Sequence, residues 1–346
     1  MNDLNQNFLA STIFIFLSLS VFSQSKTKKY IRKNKKVEVI NYGDSSTYAR
    51  GLLYYDGRLF IGNSDGTIVF HKPETRKSQT IFHQERIDEI RDIETSDGKI
   101  LAMHSGDNGK IISIDLNGNT KIIAPQMWNG VFLDGMDFID NRGFMMGDPV
   151  NGVFSLFHTQ NGGNSWEPCK GKIKAEKGEA GFAASGTNVQ MLNDSTYAFV
   201  SGGMKSRFFK STNNGESWRI VDLPYYPGES TGAYSMHFMN DSIGVIVGGD
   251  YLSPELKNNI SFYTEDGGES WYNMRKPVRG YRSCVFSKNG VYYSSGRNGI
   301  DFSIDDGKSW NPFANGQYFS LTASKTHLIA TTRYGSIQLF ELIKIK

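Results

Sequence analysis

Eleven side chains hold the chemistry this sequence could perform: Arg50, Arg91, Asp92, Asp134, Asp137, Asp148, Glu179, Asp250, Tyr251, Tyr281 and Arg282. Arginine offers a planar fork of donors that matches a carboxylate or phosphate, and a carboxyl or phenol in a poorly solvated place can deliver or take a proton. Local context marks them out. Each begins an apolar, strand-like run or sits on a glycine-rich turn, as in residues 132–138, 147–149, 178–187, 247–251 and 280–283. Other chemistries lack their residues. The six histidines (His71, His83, His104, His158, His237, His327) show no metal-ligand spacing, so no metal site is expected. Asp148 beside Pro149, and Asp250, could offer oxygens to calcium, but aspartates in turns ordinarily serve the turn. The chain has no Cys-x-x-Cys-His and no Gly-x-Gly-x-x-Gly on a strand-to-helix turn, so no haem or dinucleotide cofactor is expected, and a quinone finds no support. Cys169 and Cys284, far apart in the chain, read as two buried thiols.

Residues this far apart converge only if a repeated fold carries them, and the chain writes an eight-residue turn four times. Residues 159–166, 211–218, 264–271 and 303–310 each have Ser or Thr first, Asn or Asp third, Gly fifth, then Ser-Trp. Four of the five tryptophans are used this way. The third residue (Asn161, Asn213, Asp266, Asp305) can accept hydrogen bonds from its own turn, Gly takes a positive φ, and the ring of Trp166, Trp218, Trp271 or Trp310 anchors the next strand. Residues 113–118 keep the polar frame without the Trp. A second repeat is independent of the first. Inner-strand candidates begin near Arg50, Arg91, Asp134, Phe182, Tyr234, Tyr281 and Tyr318, each leading to a second strand and a glycine-rich turn. Among these turns are residues 62–66, 296–299 and 333–335. Periods of 40 to 50 residues with four short strands per unit predict an all-β, seven-bladed β-propeller. The last unit ends one strand short. Residues 37–40, an isolated strand near the N-terminus, are expected to pair with residues 336–342 and close the ring.

The domain plan is a signal peptide over residues 1–23, a basic linker over 24–36 and the propeller over 37–346. Residues 8–22 form an apolar run too short to cross a bilayer comfortably, with Val21 and Ser23 suited to cleavage after Ser23. Export to a secreted or periplasmic location is the expectation. A retained anchor is the alternative, because residues 1–7 lack Lys and Arg. The formal charge of +3 hides an asymmetry: residues 26–36 hold seven of the 38 basic residues, so the remainder is slightly acidic. That argues against nucleic acid as a partner and leaves no stable membrane span once the signal is removed.

The repeated turns resemble the Asp-box, or BNR, repeat of sialidases, sortilin-like ectodomains and photosystem II assembly-factor-like propellers. Their spacing is most similar to the last group. The stretches around Asp134, Asp148, Glu179, Asp250 and Tyr281 resemble exported bacterial propellers labelled "oxidoreductase". The resemblance covers about residues 48–340 and implies fold far more than function. It places the Trp turns on the blade periphery, where Asn161, Asn213, Asp266 and Asp305 are structural. Inner strands surround a propeller's channel, so the polar residues at their starts would meet in an axial funnel. There they could lace adjacent blades in Arg–carboxylate pairs, or stay open to a ligand. A sialidase would need an arginine triad (Arg50, Arg91, Arg282), a Tyr–Glu pair (Tyr234 or Tyr281 with Glu179) and an acid (Asp134). Its Arg-Ile-Pro motif is missing, since Gly51 and Leu52 follow Arg50. The expected function is a binding or assembly scaffold with a protein partner or a small polar or glycan ligand. The alternative is an enzyme, glycan-acting ahead of oxidoreductase.

Overall fold

The computed structural model describes residues 30–31, 38–42, 46–73, 75, 77–83, 89–106, 108–115, 117 and 119–345. Seven antiparallel blades follow in chain order, six as four-stranded sheets and the fifth as a sheet of six, in which Glu179–Ala180 and Gly202–Gly203 extend its four strands. Their innermost strands are Ala49–Tyr55, Ile90–Ser96, Leu133–Ile139, Val189–Asn193, Thr231–Phe238, Cys284–Lys288 and Tyr318–Ala323, and these pack side by side around the axis. Among the described residues the sole helical element is the 3-10 turn Gln126–Trp128. The signal region falls outside the described residues.

Local sequence accounts for the hairpins. The first two strands of blades 1, 2 and 6 meet at Asp56-Gly57, Asp97-Gly98 and Asn289-Gly290. All six residues have φ between 48° and 74°, the tight-hairpin conformation that Asp-Gly and Asn-Gly accept most readily. Closure follows the sequence expectation with the strand one residue later: Glu38–Asn41 pairs with Ser336–Glu341, Ile40 opposite Ile337 and Asn41 opposite Ser336. Within the basic stretch expected to be a linker, Tyr30–Ile31 pairs with Lys344–Ile345.

At each Trp turn the polar residues satisfy one another. Thr159 Oγ1 accepts from the amides of Asn161 and Gly163, while Asn161 Oδ1 accepts from the Ser165 amide at 3.0 Å and from the Thr159 hydroxyl. The pattern recurs through Ser211 and Asn213, Thr264 and Asp266, and Ser303 and Asp305. The fifth-position glycines need their positive φ, 76° at Gly163 and 85° at Gly307. A Cβ on Gly307 would sit 2.2 Å from Val245 in the preceding blade. The turns thus fasten one blade to the one before it, with Trp218 against Phe144 of blade 3 and Trp271 edge-on to Phe208 of blade 4, while Trp166 and Trp218 are also edge-on to Phe138 and Phe199 of their own blades.

Nearer the axis a second set of bonds links the blades. Asp92 accepts from the Met136 amide at 2.8 Å and Asp137 from the Met191 amide at 2.6 Å. Gln190 spans to the Phe238 backbone, Ser235 accepts from the Val285 amide, Ser283 donates to the Phe319 carbonyl and Ser320 to the Arg50 carbonyl. Asp137, expected in the funnel, is therefore an inter-blade staple. Its inner-strand position points it at the next blade's backbone rather than into the mouth.

Candidate functional site

The axial mouth is organised by a strap. The inner strand of blade 4 was expected to begin near Phe182 but starts at Val189, because residues 181–187 run across the ring before entering the blade. Arg50 Nη1 donates to the Ala184 carbonyl at 3.1 Å and Arg91 Nη1 to the Ala183 carbonyl at 2.7 Å. Ser185 donates to the Ser283 carbonyl, and the Met236 amide donates to the Thr187 carbonyl. Phe182 stacks on Tyr234 with centroids 4.3 Å apart. The strap is thereby tied to blades 1, 2, 5 and 6. Glycine is required at 186, where a Cβ would lie 2.1 Å from Asp92 Oδ1 and φ is 74°.

Beside the strap lies a cavity of about 370 Å³ walled by Arg50, Arg91, Arg297, Phe132, Tyr234, Tyr251, Tyr281, Tyr318 and Phe319, with Asp134 at its base. A neighbouring lobe of about 420 Å³ shares Arg50, Arg297, Tyr318 and Phe319 and adds Tyr48, Gln317, Arg333 and Tyr334. Five of the eleven expected residues meet here: Arg50, Arg91, Asp134, Tyr251 and Tyr281. The other six lie elsewhere. Asp92 and Asp137 are the staples described above. Asp148 accepts from the Gly181 amide at 2.8 Å and so holds the strap. Glu179 is buried against Arg207, Ser201 and the Glu176 amide. Asp250 closes its own turn through Ser230 and the Leu252 amide. Arg282 is wholly buried and paired with Asp301.

Sequence reasoning missed Arg297, Arg333, Glu89 and most of the aromatic wall. The first two had a signal, since they stand in glycine-rich turns after a second strand, where Asp148 and Asp250 also stand. Glu89 had none. It bridges Arg50 at 2.7 Å and Arg91 at 2.6 Å, so adjacent blades are laced by one shared carboxylate.

Charge in the mouth is unbalanced towards the positive. Burial lowers the pKa of Arg91, which Glu89 opposes. Arg297 and Arg333 are exposed, with no ion pair to any described residue. Burial, reinforced by Asp148, pushes the Asp134 carboxyl well above the usual range against the weaker pull of Arg91 and the Ala183 amide. Neither Asp134 oxygen has a full hydrogen-bond partner among the described residues, so burial disfavours its charged form. Burial also raises the pKa of Tyr234, and takes Tyr281 up to about 12, so both phenols keep their protons. Tyr234 donates its hydroxyl to the Ser230 carbonyl at 2.8 Å. Such a surface can receive an anion and stack flat groups on aromatic rings. The sialidase casting is not assembled: Arg282 and Glu179 are paired outside the cavity, and Tyr234 has no carboxylate partner. Among the described residues no group of His, Cys, Asp and Glu is arranged to hold a metal ion.

The comparisons with known proteins bear on this fold. A family model described as Sortilin, neurotensin receptor 3 matches residues 155–298. No curated protein matches the chain. Among solved structures, virginiamycin B lyase from Staphylococcus aureus is similar with a TM-score of 0.65 at 13% identity, covering 89% of this chain and 99% of its own. YCF48 bound to D1 peptide has a TM-score of 0.60 at 12% identity, with 91% and 98% covered. The WD40 propeller domain of Doa1 has a TM-score of 0.63 at 10% identity, with 91% and 97% covered. These likenesses agree with the fold, a β-propeller, whose seven blades the strand order gives. Among the described residues no helix is long and apolar enough to cross a membrane.

Proposed function

We propose that this propeller is an exported binding or assembly scaffold whose axial face captures a carboxylate-bearing segment of a protein partner. One observation carries the reading: Arg297 and Arg333 stand exposed beside Tyr318, Phe319 and Tyr334, while the one carboxylate between Arg50 and Arg91 is already shared by both. An arginine fork over an aromatic wall favours an anionic group with apolar neighbours. Exposed Leu252 follows Tyr251 of the cavity wall and adds an apolar side chain beside it in sequence. That a propeller of similar fold holds a D1 peptide supports a peptide as the ligand class, and the repeated Trp turns support kinship with Asp-box propellers of the assembly-factor type. The apolar run of residues 8–22 supports export, and a mature chain beginning at Gln24 in mass spectra of the exported fraction is expected.

The experiment is a pull-down with the mature chain and with Arg91→Glu/Arg297→Glu. Loss of a specific partner from the variant supports the reading, and retention of every partner overturns it. An enzyme keeps one observation in its favour, the buried Asp134 against the cavity, whose carboxyl pKa burial pushes upward and which could serve as an acid. Turnover of a fluorogenic sialoside that disappears in Asp134→Asn would replace the scaffold reading. An oxidoreductase has no comparable support.

A further inference from the structure

The four Trp turns put their indoles at equivalent places, in the seam between a blade and the one before it. Trp166 packs with Leu101 and Met103 of blade 2, Trp218 against Phe144 of blade 3, Trp271 against Phe208 of blade 4, and Trp310 among Val245 and Val247 of blade 5. At the equivalent place in blade 2 the third and fourth strands come together with Thr120 opposite Ile114, and the Asp115 amide donates to the Asn119 carbonyl. Asp115 Oδ1 accepts from the Asn119 amide at 2.9 Å, the bond that Asn161 makes to Ser165. Thr120 then occupies the place of the Trp, and it is exposed. In the corresponding seam the structure has a cavity of about 280 Å³, walled by Tyr55, Phe60 and Phe70 of blade 1 and by Ile100, Ile114 and Asp115 of blade 2.

We propose that this seam is a binding slot for a tryptophan side chain presented by a second polypeptide, filling the place that the missing Trp leaves. Three observations select that occupant. The same turn fills the equivalent seam with an indole four times, so the geometry around the slot is one this fold repeatedly shapes for that ring. The chain has no indole to spare, since its five tryptophans are Trp128, Trp166, Trp218, Trp271 and Trp310, each packed in a core elsewhere. The Arg58 guanidinium lies 5.8 Å from the centre of the Phe70 ring in the slot wall, a cation placed for an aromatic face, and indole is the best such partner. A polypeptide is favoured over a free ligand because Thr120–Ile123, the outermost strand of blade 2, is unpaired on its other edge among the described residues, and Thr120 pairs with Ile114 of the slot wall, so a partner's backbone can pair there.

Saturation-transfer NMR with the full chain tests this, using N-acetyl-tryptophanamide as probe and N-acetyl-leucinamide as control. Transfer to the tryptophan amide alone is expected. Thr120→Trp, which supplies the ring from the chain itself, should abolish the transfer and raise the melting temperature by about 2 °C or more. Arg58→Ala, at the wall rather than the core, should weaken binding about 2- to 5-fold. Equal transfer to the leucine amide, or unchanged transfer in a folded Thr120→Trp chain, overturns the proposal. So does a dimer of the unsubstituted chain that Thr120→Trp dissociates, since the slot would then belong to a second copy.

Discussion

The outer turns and the axial mouth are built from the same kinds of residue, and they differ in what is left over. At residues 159–166 every acceptor on Thr159 and Asn161 is met by an amide of the same turn, so the polarity is consumed where it arises. At the mouth, Glu89 serves two arginines, burial disfavours the charged form of Asp134, and Arg297 and Arg333 remain without a described carboxylate. Polar residues that close on one another hold a structure together. A surplus of one sign beside aromatic rings can hold something else.

Substitutions can break this contrast. The largest effect is expected on the structural side. Glu179→Gln leaves Arg207 buried without its charge partner and should cost about 3–5 kcal/mol, read as a fall in the urea midpoint, with affinity for a mouth ligand unchanged in the chain that remains folded. Trp310→Ala, in a ring only 1% exposed, should cost a similar 3–5 kcal/mol or somewhat less. Equal stability of either variant and the parent would remove the distinction between fastener and site. Arg297→Glu/Arg333→Glu should show the reverse pattern: a loss of ligand affinity of about tenfold or more, and a stability within about 0.5 kcal/mol of the parent.

A smaller effect concerns the staples. Burial, first among the causes, takes Asp92 up to about 8 and Asp137 up to about 6, each from 3.8. Both folded-state values lie above the unfolded ones. The favourable contribution is therefore complete below pH 4 and is lost as pH rises, through about 6 for Asp137 and about 8 for Asp92. Denaturation at pH 5 and pH 8 should show the fold more stable at pH 5 as far as these groups decide it. Asp92→Asn keeps an acceptor for the Met136 amide while removing the titration, and should flatten that slope. A slope unchanged in Asp92→Asn would show that Asp92 is not the titrating group.

Much of the fold was legible because its signals are local. The Trp turns, the glycine-rich turns after each second strand and the strand that closes blade 7 are each decided by residues a few positions apart or by one unmatched strand. The expected start of blade 4 at Phe182 failed for a reason no local pattern reveals: residues 181–187 resemble other inner-strand beginnings, yet carbonyls 183 and 184 are taken by arginines about a hundred residues away or more. The mouth was half legible. Position after a second strand marked the right turns, but Arg297 and Arg333 were passed over in favour of carboxylates in equivalent turns.

By itself the sequence determined the blade, its fasteners, their number and the closure of the ring, because turn hydrogen bonds, glycine φ values and alternating apolar residues are set within one blade. Only the tertiary structure decided which charges cancel. Arg282 finds Asp301, Glu179 finds Arg207, and Glu89 is shared between Arg50 and Arg91. The same holds for the cavity between blades 1 and 2, whose walls come from both. Whether a charged residue is a strut or a site depends on distances of a few ångströms between separate turns and strands, and those distances exist only after the ring has closed.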